Sequence, residues 1–142
     1  MHYDVFGLGN ALVDVVYEVP AHFFSDNKID KGVMTLIDSE RFNQLLSALG
    51  DNPTIQSGGG SAANSMIALA QLGGSAYYAC RVADDSAGKF YRQDLMSSGV
   101  VTSVVEEGRE GETGRCLVMV TPDADRTMNT FLGITSSFGL AD

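Results

Sequence analysis

Tryptophan is absent from this chain of 142 residues, prolines number three, cysteines two, and nine basic residues face eighteen acidic ones. Each shortage excludes something. A net charge of −9 repels phosphate backbones at long range, so nucleic acid is not an expected partner. The basic residues are scattered and form no run. Any phosphate must therefore be met locally, by a helix N-terminus or by one or two placed arginines. Cys80 and Cys116 stand in apolar surroundings, without metal-ligand spacing. Two cysteines are too few for a disulfide framework in so long a chain, and both read as core thiols of a cytoplasmic protein. The opening Met-His-Tyr-Asp-Val lacks the basic n-region of a signal peptide. No apolar run reaches the roughly 18 residues that a membrane span needs.

What is present is a globular composition, with 44% hydrophobic and 19% charged residues. Residues 3–9 and 11–19 read as strands, the second valine-rich and stopped by Pro20. Residues 20–31 read as a loop or short irregular helix, and 33–37 as a short strand. Phe42, Leu45, Leu46 and Leu49 recur at helical spacing, which predicts a helix over 39–49 with Asp38 before it and Gly50 after it. Gly58-Gly59-Gly60 precedes a second helix over 61–72, apolar nearly all round and so expected to be buried. A strand over 76–82, a helix over 87–96, a strand over 100–105 and a hairpin of 114–120 with 126–132 complete the pattern. Alternating strands and helices predict an α/β fold, and the surplus strands a small second sheet or lid.

Gly7-Leu8-Gly9-Asn10-Ala11-Leu12 imitates a dinucleotide fingerprint, but Leu12 stands at the third glycine position and strand-like residues follow instead of a helix. That disfavours a nucleotide-binding oxidoreductase. Asn10 and Asp14 share strand parity and so one face. Either Asp14 is solvated, or both residues point into a cleft and bond the hydroxyls of a small polyol. Gly58-Gly59-Gly60-Ser61-Ala62-Ala63-Asn64 lets backbone approach a ligand closely and offers helix N–H groups, with Asn64 as a buried amide in need of partners. The competing reading is a plain glycine turn with Ser61 as N-cap.

Five ordered segments carry a resemblance: residues 9–14, 59–64, 82–88 with Phe90-Tyr91 and Leu95, Thr113-Gly114 and Asp125-Arg126-Thr127-Met128. Together they resemble the N-terminal half of PfkB/ribokinase-family kinases, nearest the adenosine-kinase and ribokinase branches. Met66 and Ala83 stand where that family prefers a small residue and glycine. The resemblance implies a ribokinase-like parallel sheet flanked by helices, with a β lid from about 11–19, 100–105 and 113–132 and an α/β part from about 1–10 and 33–99. It implies ATP and Mg2+ as cofactors, a sugar or nucleoside as acceptor, and a ribose-containing one by preference. Asn10, Asp14, Gly59, Gly60, Ser61 and Asn64 would bind that acceptor, and Arg126 is the candidate phosphate contact. Arg126 reads equally as a surface residue balancing Asp123 and Asp125. The family's Gly-Ala-Gly-Asp-like segment, which carries its catalytic base, does not occur in the sequence. The chain is therefore expected to be an N-terminal portion, inactive by itself, with no catalytic residue or metal ligand of its own. The alternative is a non-catalytic binding or assembly module, pairing as a homodimer through the lid.

Overall fold

The computed structural model describes residues 2–104 and 109–139. In chain order the elements are β1 (Val5–Leu8), β2 (Leu12–Glu18), α1 (His22–Asp26), β3 (Met34–Leu36), α2 (Ser39–Leu49), β4 (Ile55–Gly59), α3 (Ser61–Gln71), β5 (Ala76–Ala79), α4 (Ser86–Ser97), β6 (Val101–Thr102), β7 (Gly114–Val120), β8 (Arg126–Phe131) and a closing 3-10 helix, Gly133–Ser137. They fall into two compact units. Of the described residues, those within 1–13, 57–114 and 132–142 form the first unit, and 14–56 with 115–131 form the second.

The first unit is built on a parallel sheet ordered β1-β5-β6. β1 and β5 align Gly7 with Tyr78, and Ala76, Tyr78 and Ala79 are buried. Parallel strands need crossover helices, and α3 and α4 supply them. α3 lies against both strands and buries Ala63 and Met66. A Cβ on Gly7 would stand 2.8 Å from the Met66 sulfur, so the glycine makes room for this long side chain. α4 begins where Asp85 accepts a hydrogen bond from Gly88 N, and it buries Tyr91 and Leu95, one turn apart.

Two expectations change here. The strand expected over 100–105 as part of a lid is β6, which pairs with β5 through Tyr77–Val101 and Tyr78–Thr102 in the first unit's sheet; residue 105 lies outside the described residues. A short valine-rich strand has the same composition in either sheet, so only pairing distinguishes them. α3 is not buried all round: Ser61, Asn64, Ser65 and Ala68 are exposed. Its apolar pattern is largely alanine, whose small surface costs little to leave in water.

The second unit centres on a five-stranded sheet ordered β3-β8-β7-β2-β4, to which β2 and β4 bring residues from both units. β7 and β8 form the expected antiparallel hairpin, from Arg115 opposite Phe131 to Val120 opposite Arg126. β3 runs parallel to β8. Consequently β3 and α2, expected in the α/β part, belong to this unit. Strand alternation turns Tyr17, Leu117 and Met119 to one face, where they pack with Val19, Phe24 and with Phe42 and Leu45 of α2. α2 matches its expected bounds. Asp38 caps Arg41 N at 2.8 Å, and Gly50, at φ +77°, ends the helix.

Leu45 is fully buried in this cluster. Leu45→Ala removes three carbons from a packed site and is expected to destabilise the chain by about 2–5 kcal/mol. A shift of the urea unfolding midpoint, at unchanged slope, measures it.

Candidate functional site

Asn10, Gly59, Gly60, Ser61 and Asn64 fall within the first unit, whereas Asp14 and Arg126 belong to the second. In the first unit the turn after β1 and the glycine segment at the end of β4 come together. Gly60 has φ +102°, and a Cβ on it would sit 2.7 Å from Asn10 O. Only glycine permits that approach. Tyr78 Oη donates to the same Asn10 oxygen at 2.9 Å, and Tyr91 Oη donates to Gly59 O at 3.0 Å. Asp94 Oδ2 accepts from Gly58 N at 3.1 Å.

Gly60 is the N-cap of α3, and no side chain bonds the helix's first N–H groups. Ser61 is therefore the first helical residue rather than the cap. Asn64 was expected as a buried amide, but it is exposed, as is Asn10. Their amides face outward because Ala63 and Met66 take the inward positions of the helix and because the carbonyl of Asn10 serves the inward contacts. Both side chains are thus open to solvent rather than part of a core.

Two further segments interlock in the same unit. Asp85 accepts from Thr113 N at 2.9 Å and from Thr113 Oγ1 at 2.6 Å. That hydroxyl in turn accepts from Ala83 N at 3.0 Å. A Cβ on Gly114 would meet Leu132 O at 2.7 Å and Ala11 O at 2.8 Å, and Ala11 N donates to Thr135 Oγ1 at 2.9 Å. A separate cavity of about 660 Å3 lies beside α4, lined by residues that include Cys80, Ala83, Arg92 and Ser103. Asn10, Asp14, Gly59, Gly60, Ser61, Asn64 and Arg126 do not line it.

In the second unit Asp14 is half-buried on the sheet face opposite α2, since Val15 and Tyr17 turn into the core cluster. Burial raises its carboxyl pKa above 3.8. Its charge also reaches Cys116, whose thiol is pushed up to about 11, mainly by burial. Met34, Leu36 and Met128 share that face by register and are exposed. Sequence reasoning missed them, because an exposed apolar cluster shows only once β3 is paired with β8. Arg126 is exposed. The turn carboxylates expected to balance it are taken by Lys31, at 2.6 Å from Asp123 and 3.6 Å from Asp125. The hydrogen bond from Lys31 holds Asp123 down at about 2.

Residues 37–141 match the pfkB family carbohydrate kinase. The chain belongs to the pfkB family. Among solved structures this pfkB chain is similar to an adenosine kinase from Sinorhizobium meliloti, with 37% identity, a TM-score of 0.88 and coverage of 100% of this chain and 43% of that one. It is also similar to a probable sugar kinase from Rhizobium etli CFN 42, with 38% identity, a TM-score of 0.86 and coverage of 99% and 42%. An uncharacterized sugar kinase of Escherichia coli (strain K12) is 30% identical over 80 residues, 56% of this chain and 24% of that protein. The pfkB chain thus spans less than half the length of these relatives. Among the described residues no helix is long and apolar enough to cross a membrane.

The raised pKa of Asp14 has a definite sign. The folded state holds the proton to higher pH than the unfolded chain does. Stability therefore falls as pH rises through the window above 3.8, and the deficit persists at neutral pH. Asp14→Asn is expected to melt at higher temperature than wild type at pH 7. The difference should shrink as pH falls below 3.8, as thermal unfolding across a pH series would show.

Proposed function

We propose that the full-length protein carrying this chain is an ATP-dependent kinase that phosphorylates a hydroxyl of a ribose-containing acceptor, a nucleoside before a free sugar. The observation that carries the reading is the close join of Asn10 to Gly59-Gly60, in a pfkB chain similar to an adenosine kinase over its whole length. A polyol needs donors and acceptors held at fixed spacing. Here exposed amides at Asn10 and Asn64 and uncapped helix N–H groups at α3 offer both. Asp14 supplies a carboxylate, which accepts from hydroxyls more strongly than a neutral group does. Its burial cost supports a binding role, because an unpaired half-buried carboxylate is unfavourable until a ligand answers it. Met34, Leu36 and Met128 give the same sheet face an apolar surface, which suits the flat base of a nucleoside better than a free sugar.

ATP supplies the transferred phosphoryl group, and phosphoryl transfer relies mainly on positioning and on stabilising charge. Among the described residues no three His, Cys, Asp or Glu side chains converge to hold a metal ion. In this reading the residues of this chain act on the acceptor. Arg126 is the exception in kind. Its guanidinium is always charged and can span two phosphate oxygens, and in this fold it is exposed on β8 with its neighbouring carboxylates engaged by Lys31.

The test is an ATP-dependent phosphorylation assay of the full-length gene product against adenosine, other nucleosides, ribose and fructose. Higher kcat/KM for a nucleoside than for any free sugar is expected, and the reverse order would overturn the nucleoside preference. Asp14→Ala should weaken acceptor binding by about 1.5–3 kcal/mol, the range of hydrogen bonds to a charged group. Arg126→Ala should lower kcat by roughly 10- to 1000-fold with little change in acceptor KM, as for one electrostatic donor. A kcat within about twofold of wild type would return Arg126 to the role of a surface residue.

A further inference from the structure

We propose that Tyr78, Tyr91 and Asp94 are positioning residues that fix the distance between the Asn10 turn and the glycine segment, and through it the grip on the acceptor; this rests on the acceptor reading above. None of the three is expected to touch the ligand. Tyr78 and Tyr91 are 0% and 1% exposed, yet each aims its only side-chain polar atom at a main-chain oxygen of the site. Tyr78 Oη donates to Asn10 O at 2.9 Å and Tyr91 Oη to Gly59 O at 3.0 Å. Three residues along α4 from Tyr91, on the same helix face, Asp94 accepts from Gly58 N. One strand and one helix thus hold Asn10, Gly58 and Gly59 by their main chain. Volume alone does not explain the tyrosines, because phenylalanine would fill the same space. The hydroxyls locate two oxygens on either side of Gly60, where a Cβ would already collide with Asn10 O.

Each phenol has one proton, and each gives it to a main-chain oxygen, Tyr78 to Asn10 O and Tyr91 to Gly59 O. Burial raises the Tyr78 phenol above its ordinary value, so its proton stays in place throughout the physiological range.

The experiment pairs kinetics on the full-length gene product with carbonyl 13C shifts of Asn10 and Gly59 in this chain. Tyr78→Phe and Tyr91→Phe should each raise KM for the acceptor that wild type prefers by about 3- to 10-fold, the effect of one neutral hydrogen bond, with kcat within about twofold. The double variant should fall short of the product of the two, because both phenols hold the same join of Asn10 to the glycine segment. Asp94→Asn, whose amide oxygen can still accept from Gly58 N, should stay closer to wild type than Asp94→Ala. Tyr77→Phe, on the other side of β5, should change nothing. Acceptor KM within twofold of wild type in both phenol variants, with unmoved carbonyl shifts, would overturn the proposal; so would a Tyr77→Phe effect as large as theirs. If wild type phosphorylates no acceptor, the functional reading fails and the carbonyl shifts alone decide the positioning role. If a phenol variant does not fold, the Asp94 pair decides it.

Discussion

The bare Cα of Gly60 against the carbonyl of Asn10 is the constraint on which the candidate site depends. No side chain other than hydrogen fits there, and the positive φ of Gly60 independently favours glycine. Because the contact is main chain against main chain, it leaves both flanking side chains free to turn outward. Asn10 and Asn64 do so. The helix after Gly60 then starts without a side-chain cap, an omission that would be a defect in a purely structural helix and is a resource in one that meets a ligand.

The second unit departs from local rules in the same direction. A carboxylate sits half-buried on a sheet face with no ion pair among the described residues, and three large apolar side chains on that face are exposed. Other parts of the unit keep those rules. α2 is capped, its apolar stripe is covered, and the hairpin turn is tied by Lys31 to Asp123 and Asp125. The departures are concentrated on one sheet face, beside well-kept packing on the other.

Much of this was legible in the chain's own pattern. The helix at Ser39–Leu49 and the hairpin of β7 with β8 were readable almost to the residue, because amphipathic spacing, a capping aspartate and a turn-rich loop all point the same way. β4 was not foreseen: Ile55–Gly59 is short, ends in two glycines and has no alternation, so only its pairing in the sheet makes it a strand. The glycine segment and Asn10 could be singled out because glycine runs and isolated amides are visible in one dimension. Tyr78, Tyr91 and Asp94 could not, since they act on backbone atoms, and a backbone carbonyl is present at every position of a sequence. Asn64 was recognised for the wrong reason. An amide on an alanine-rich helix was expected to be buried, yet it is exposed.

The order in which the chain visits its two units has a consequence for its birth on the ribosome. Residues of the first unit come from three separated stretches and those of the second from two, so neither unit is a continuous piece of chain. Ala11 waits for the hydroxyl of Thr135, 124 positions later. β2 must likewise hold its place until β7 has been synthesised. Vectorial synthesis therefore cannot finish one unit and then begin the other. Nascent strands remain with open edges until their later partners emerge, and each unit closes only when widely separated segments come together. Such non-local assembly is slow relative to helical folds of the same size.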